Sequence, residues 1–202
     1  MKSLVALSLP LLALSAPTTV ERDSAPPSYR INKVVYGGSG CPQGSLDINW
    51  TNNGILPIYF GNQFTTSVGP NVSVDQSRKN CQINFDISYS PGYSYQVYSA
   101  EYTGYADIDS GVTAVVAAHY YFSGQTEQAN TKLELSGPFS GKYVKRDDVE
   151  LSVWSPCGQA SLFNVNAEVR LTPQNSYASG QLAVNKETGR FTNQLYIRWR
   201  QC

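Results

Sequence analysis

Apolar and polar side chains alternate with a period of two through most of this chain, and that alternation constrains the fold more than any other feature. Leu46, Ile48 and Trp50 alternate with Ser45, Asp47 and Asn49. Cys81, Ile83, Phe85, Ile87 and Tyr89 alternate with Gln82, Asn84, Asp86 and Ser88. The same pattern runs through Leu133–Leu135, Val149–Val153, Phe163–Leu171 and Leu195–Trp199. Successive side chains of a strand point to opposite faces, so this is the signature of half-buried strands. Glycine- and proline-centred turns separate the runs, among them Gly37-Gly38-Ser39-Gly40, Asn53-Gly54, Pro91-Gly92, Gly137-Pro138 and Thr188-Gly189. Many short strands so punctuated predict an all-β chain, a single-domain, disulfide-stapled β-sandwich of jelly-roll-like character. No amphipathic helix and no internal repeat interrupts it.

Two strands depart from clean alternation. In 93–106, Tyr93, Tyr95, Val97, Ser99, Glu101, Thr103 and Tyr105 are expected on one face, and Tyr98, Ala100, Tyr102 and Ala106 on the other. Val112–Phe122 is apolar on both faces. Such strands are either covered on both sides or present an aromatic face to a partner. Core packing and partner binding both stand for Tyr93, Tyr95, Tyr98, Tyr102 and Tyr105.

The N-terminus supplies an address. Residues 1–16 carry Lys2, then an apolar run from Leu4 to Leu14, then small residues, the pattern of a signal peptide. The run is too short to span a bilayer. Residues 17–30 read as a flexible, Pro-rich leader, and 31–202 as the single domain. The expected location is therefore outside the cell. Four cysteines at 41, 81, 157 and 202 suit an oxidising compartment, and none is spaced as a CxxC motif. Four cysteines allow three pairings; Cys41–Cys81 with Cys157–Cys202 is preferred, each loop contributing about 3–4 kcal/mol by chain entropy. Asn49-Trp50-Thr51 and Asn71-Val72-Ser73 are glycosylation sequons.

Chemistry is sparse. Fifteen basic residues balance fifteen acidic ones, which leaves no electrostatic footprint for nucleic acid or an anionic membrane. His119 is the sole histidine, so a Ser-His or Cys-His pair has one possible base. Asp107 and Asp109 fall on one side of a strand end, without a full calcium-loop pattern. No catalytic residue, cofactor or metal site is expected. Trp50 and Trp199 fall on apolar phases and are expected in the core. Trp154 stands opposite in phase to Val153 and heads the turn Trp154-Ser155-Pro156-Cys157-Gly158, as a binding tip or as a lid over a disulfide.

Strung in order, Gly37-Gly38-Ser39-Gly40-Cys41-Pro42, Val68-Gly69-Pro70-Asn71-Val72-Ser73 and Ser77-Arg78-Lys79-Asn80-Cys81 are distinctive. Tyr121-Phe122-Ser123-Gly124-Gln125, Gly137-Pro138-Phe139-Ser140-Gly141, Val153-Trp154-Ser155-Pro156-Cys157-Gly158 and Trp199-Arg200-Gln201-Cys202 complete the set. The chain resembles the secreted fungal family known as domain of unknown function 4360, from about residue 34 to the end. The resemblance implies a secreted, disulfide-bonded ascomycete protein with no catalytic residues to carry over. Some relatives act as virulence effectors in plant tissue. One theme is inactivation of plant polygalacturonase-inhibiting protein, which keeps fungal polygalacturonase active. Another is inhibition of plant papain-like cysteine proteases. The expectation is a non-enzymatic, monomeric effector of the host apoplast that binds polygalacturonase-inhibiting protein. The alternatives are a cysteine-protease inhibitor, a glycan-binding wall module and a hydrolase with a carboxylate pair assembled by folding.

Overall fold

The computed structural model describes residues 28–51, 54–147, 153–158, 160–182 and 191–202. The expected signal peptide, the leader up to residue 27, both turns at Asn53 and Thr188-Gly189, and Val149 and Leu151 of the alternating run lie outside the described residues.

Two antiparallel sheets pack face to face. The first orders β1 (Tyr29–Gly37), β5 (Arg78–Tyr89), β10 (Ser161–Pro173), β7 (Val112–Phe122) and β8 (Gln128–Ser136). The second orders β2 (Leu46–Ile48), β3 (Ile55–Phe60), β12 (Phe191–Gln201), β6 (Tyr93–Ile108), β11 (Gly180–Leu182) and β4 (Thr66–Val68), and β9 (Phe139–Asp147) also pairs with β6. The chain is an all-β sandwich, as the alternation predicts. A 3₁₀ turn, Val74–Ser77, precedes β5.

The inward phases build one core. From the first sheet come Ile83, Phe85 and Ile87, Phe163, Val165 and Val169, and Tyr120 and Phe122; from the second come Leu56, Ile58, Phe60, Leu195, Ile197 and Trp199. Each large side chain so buried is worth roughly 1.5–3 kcal/mol. Aromatic rings interlock across the sheets: Tyr95 meets Trp199 at 5.0 Å and Phe122 at 5.2 Å between centroids. Tyr29 packs on Trp50 at 5.1 Å and Trp199 at 5.3 Å, which is why β1 starts two residues before the expected boundary at 31. Trp199 is core as expected, and half-buried Trp50 packs against that core. Val153 is buried but lies in a loop rather than a strand.

Two disulfides close the ends. Cys41–Cys81 ties the turn after β1 to β5, and Cys157–Cys202 ties the 153–158 segment to the chain end beyond β12. This is the pairing preferred from the sequence.

The expected faces of β6 are corrected by a bulge. Val97 pairs with Ile197 and Ser99 with Tyr196, so Tyr98 is an extra residue in the ladder. Two residues then oppose one, and the side-chain phase shifts. Before the bulge Tyr95 and Val97 face the core; after it Ala100, Tyr102, Ala106 and Ile108 do. Tyr95 and Tyr102, expected on opposite faces, share the buried one. Neither is available to a partner.

Candidate functional site

The outer face of the second sheet is assembled from the solvent phases of three strands and one loop. With Leu195, Ile197 and Trp199 turned inward, β12 presents Tyr196, Arg198 and Arg200 outward. The β6 bulge lifts Tyr98 beside them, with 37% of its surface exposed. From β9, Arg146 lies across from Glu101 in the register. Its Nε donates to Ser99 Oγ at 3.2 Å, and its guanidinium sits 4.6 Å from the centre of the Tyr196 ring.

Trp154 is fixed by its neighbours. Ser155 N donates to Tyr95 O at 2.8 Å, Tyr95 N returns a bond to Ser155 Oγ at 2.9 Å, and Gly158 N donates to Tyr93 O at 2.8 Å. Tyr89 Oη donates to Pro156 O at 2.7 Å. Val153 and Ser155 are buried, so the intervening Trp154 turns outward. Its ring takes the Arg200 guanidinium at 4.1 Å and that of Arg198 at 5.6 Å. Arg198 also lies 5.9 Å from the Tyr98 ring, which is 6.2 Å from Tyr196.

The result is a continuous strip: Arg146, Tyr196, Tyr98, Arg198, Trp154, Arg200. Cations and rings hold one another along it, each cation–ring contact contributing about 0.5–1 kcal/mol at an exposed site. The strip ends in an open cleft between Trp154 with Arg200 and residues 124–127 of the β7–β8 turn. It offers flat π-faces and guanidinium donors, which suits recognition of a surface.

The remaining candidates lie apart from the strip. Tyr93 is half-buried and its hydroxyl accepts from Gln201 Nε2 at 3.3 Å. Tyr105 is half-buried further along β6, 3.1 Å from Ser140 Oγ. Tyr102 Oη lies between Tyr120 Oη, at 2.5 Å, and Thr131 Oγ1. Burial, and then the charge of neighbouring Tyr120, push the Tyr102 phenol well above its ordinary range, so this cluster stays protonated near neutral pH. Asn49 and Asn71 are both exposed. His119 is exposed on the other sheet, with Nδ1 2.5 Å from Asn130 Oδ1, an amide that is neither nucleophile nor acid. Asp109 Oδ2 accepts from Ser179 N at 2.9 Å. Among the described residues no three of His, Cys, Asp and Glu gather into a metal site. None of their helices is long and apolar enough to cross a membrane.

Sequence reasoning passed over Tyr196, Arg198, Arg200 and Arg146. Their signal was present on β12: Tyr196, Arg198 and Arg200 occupy the solvent phase of a stretch whose other phase is Leu195, Ile197 and Trp199.

The model of the family described as domain of unknown function (DUF4360) matches residues 27–202. An uncharacterized secreted protein of Arthroderma benhamiae is 36% identical over 179 residues, which span 88% of this chain and 73% of that protein. Among solved structures, TmCBM61 in complex with β-1,4-galactotriose aligns over 85% of this chain and 90% of that one at 7% identity, with a TM-score of 0.28. The family 11 carbohydrate-binding module of Clostridium thermocellum, in complex with a mixed-linked tetrasaccharide, covers 84% of this chain and 86% of that one at 7% identity and a TM-score of 0.26. TM-scores this low do not establish a shared fold.

Proposed function

This chain belongs to the DUF4360 family, and from that premise we propose that it is a secreted, non-enzymatic fungal effector that acts by covering the surface of a host plant protein in the apoplast. The target is polygalacturonase-inhibiting protein, and the consequence is that fungal polygalacturonase stays active. One observation carries the reading of a binding surface: the outer strip is built from Tyr, Trp and Arg, the residue types enriched at interface hot spots. Disulfide and hydrogen-bond anchoring of Trp154 fixes the strip before contact, which lowers the ordering cost of binding. The choice of target rests on the family resemblance.

The test is reconstitution. Polygalacturonase is inhibited with purified polygalacturonase-inhibiting protein, and the mature, oxidised chain is added. Stoichiometric recovery of activity is the expected result, with Trp154→Ala or Arg198→Ala weakening it by about 30-fold, the equivalent of a hot-spot loss of about 2 kcal/mol. No binding at micromolar concentration, or tight inhibition of papain-like proteases in its place, rejects the target.

A further inference from the structure

The outer face of the first sheet has a composition that neither structure nor partner binding on the second sheet requires. The inward phase there is consumed by Ile83 and Phe85, Val165 and Phe163, and Ala118 and Tyr120. The register then aligns two neighbouring outward rows across β5, β10, β7 and β8. One row reads Asn84, Asn164, Tyr121, Gln128, of which Asn164 is itself buried; the next reads Gln82, Asn166, His119, Asn130. Six of these eight side chains are primary amides, and none is Asp, Glu, Lys or Arg.

Charge is confined to the borders of this block. On one side Arg78 pairs with Glu168 at 2.5 Å and Lys132 with Glu134 at 2.6 Å. On the other, Lys33 stands opposite Asp86 in the register. The amide block is thus a neutral band. At about 4.8 Å between strands its four columns span roughly 14 Å.

Part of the block is fixed. Asn84 Nδ2 donates to Asn164 Oδ1, and Asn164 Nδ2 donates to Ser123 Oγ and Leu162 O at 3.0 Å each. His119 Nδ1 lies 2.5 Å from Asn130 Oδ1, which ties these two exposed side chains together. Beside these anchored groups, Gln82 Nε2 is buried with no hydrogen-bond partner. That atom is closed to solvent, so the amides open to a ligand are Asn166, half-buried, and Gln128 and Asn130, both exposed.

Each primary amide donates and accepts at once, as a hydroxyl does. A row of them complements a ligand carrying many hydroxyls and no charge, while the band's neutrality gives no attraction for phosphate or polyuronate. Tyr121 adds a half-buried ring within the same rows. We propose that this face binds an uncharged, extended polysaccharide laid across the four strands, a site separate from the aromatic–arginine strip. The protein then has two working faces, one holding a neutral wall glycan and one engaging its protein partner.

The experiment is calorimetric titration of the full oxidised protein with β-1,4- and β-1,3-linked glucose hexasaccharides, with oligogalacturonate as the charged comparison. Binding to at least one neutral oligomer is expected, unchanged on raising the salt to roughly 0.5 M because no charge is involved. Tyr121→Ala and Asn166→Ala are expected to weaken it by about tenfold or more. Trp154→Ala is expected to leave it unchanged, which separates this site from the one in the reconstitution assay. The outward position of these side chains keeps the core intact, and an unaltered melting temperature verifies that. Binding of neither neutral oligomer overturns the proposal. So does a preference for oligogalacturonate, or binding that is lost in Trp154→Ala and kept in Tyr121→Ala.

Discussion

Raising the pH above about 10 should unfold this protein steeply, because its core is built on phenols that cannot ionise in place. Of fourteen tyrosines, Tyr95, Tyr102, Tyr120 and Tyr143 are buried, and burial is the leading cause that pushes each phenol above its ordinary value. In the unfolded chain the same phenols ionise near pH 10. Between that value and the higher folded one, the unfolded state holds fewer protons than the folded state, so stability falls as pH rises; below about 10 the contribution is fully present. Each group adds a slope of about 1.4 kcal/mol per pH unit, and four together add roughly 5.5. A net stability of about 5–15 kcal/mol is then exhausted within about one to three units. The assay follows tyrosinate absorbance and far-ultraviolet circular dichroism in parallel. The buried set appears only as the dichroism is lost, and Tyr102→Phe lessens the slope by about one quarter of the four-group total. Smooth titration of all fourteen with the strand signal intact would refute the reasoning.

Opening the second disulfide with the pair Cys157→Ser and Cys202→Ser removes a cross-link between residues 45 apart and should cost about 4 kcal/mol in urea unfolding. It should also release Trp154 and so abolish recovery of polygalacturonase activity at concentrations where the parent protein acts. Gly104→Ala places a Cβ 2.4 Å from Tyr143 Oη and 2.6 Å from its Cζ, an overpacking worth about 1–3 kcal/mol, readable as a lowered melting temperature. Arg198→Ala breaks two exposed ring contacts, so its stability loss should stay within about 2 kcal/mol while partner binding suffers.

The fold was legible because period-two patterning survives in the long strands other than β6 and β7. Where β10 alternates Phe163, Val165, Ala167, Val169 and Leu171, each lands in the core. The disulfide pairing was legible for a related reason, since each bridge joins segments only about forty residues apart that strand pairing brings near each other. The site was not equally legible. An inserted residue in a strand reverses the face of everything beyond it, and nothing in Val97-Tyr98-Ser99-Ala100 announces which residue is extra. The choice is made by pairing: only with Tyr98 unpaired do Tyr95 and Tyr102 both reach the core that Trp199 and Phe191 build from β12.

That same bulge explains why the two sheets expose such different chemistry. In β6 it places a large ring on the outside next to a strand whose outward phase is Tyr196, Arg198 and Arg200, so rings and guanidinium groups meet. The first sheet has no comparable irregularity at its centre: β10 runs in unbroken register against β5 and β7, and its outward rows keep the amides in line. A cationic, aromatic surface favours a partner with carboxylates and apolar relief, whereas aligned neutral amides favour hydroxyls. Partner binding lost on altering Arg198 and glycan binding lost on altering Asn166, each without the other, is the pattern this division of the sandwich requires.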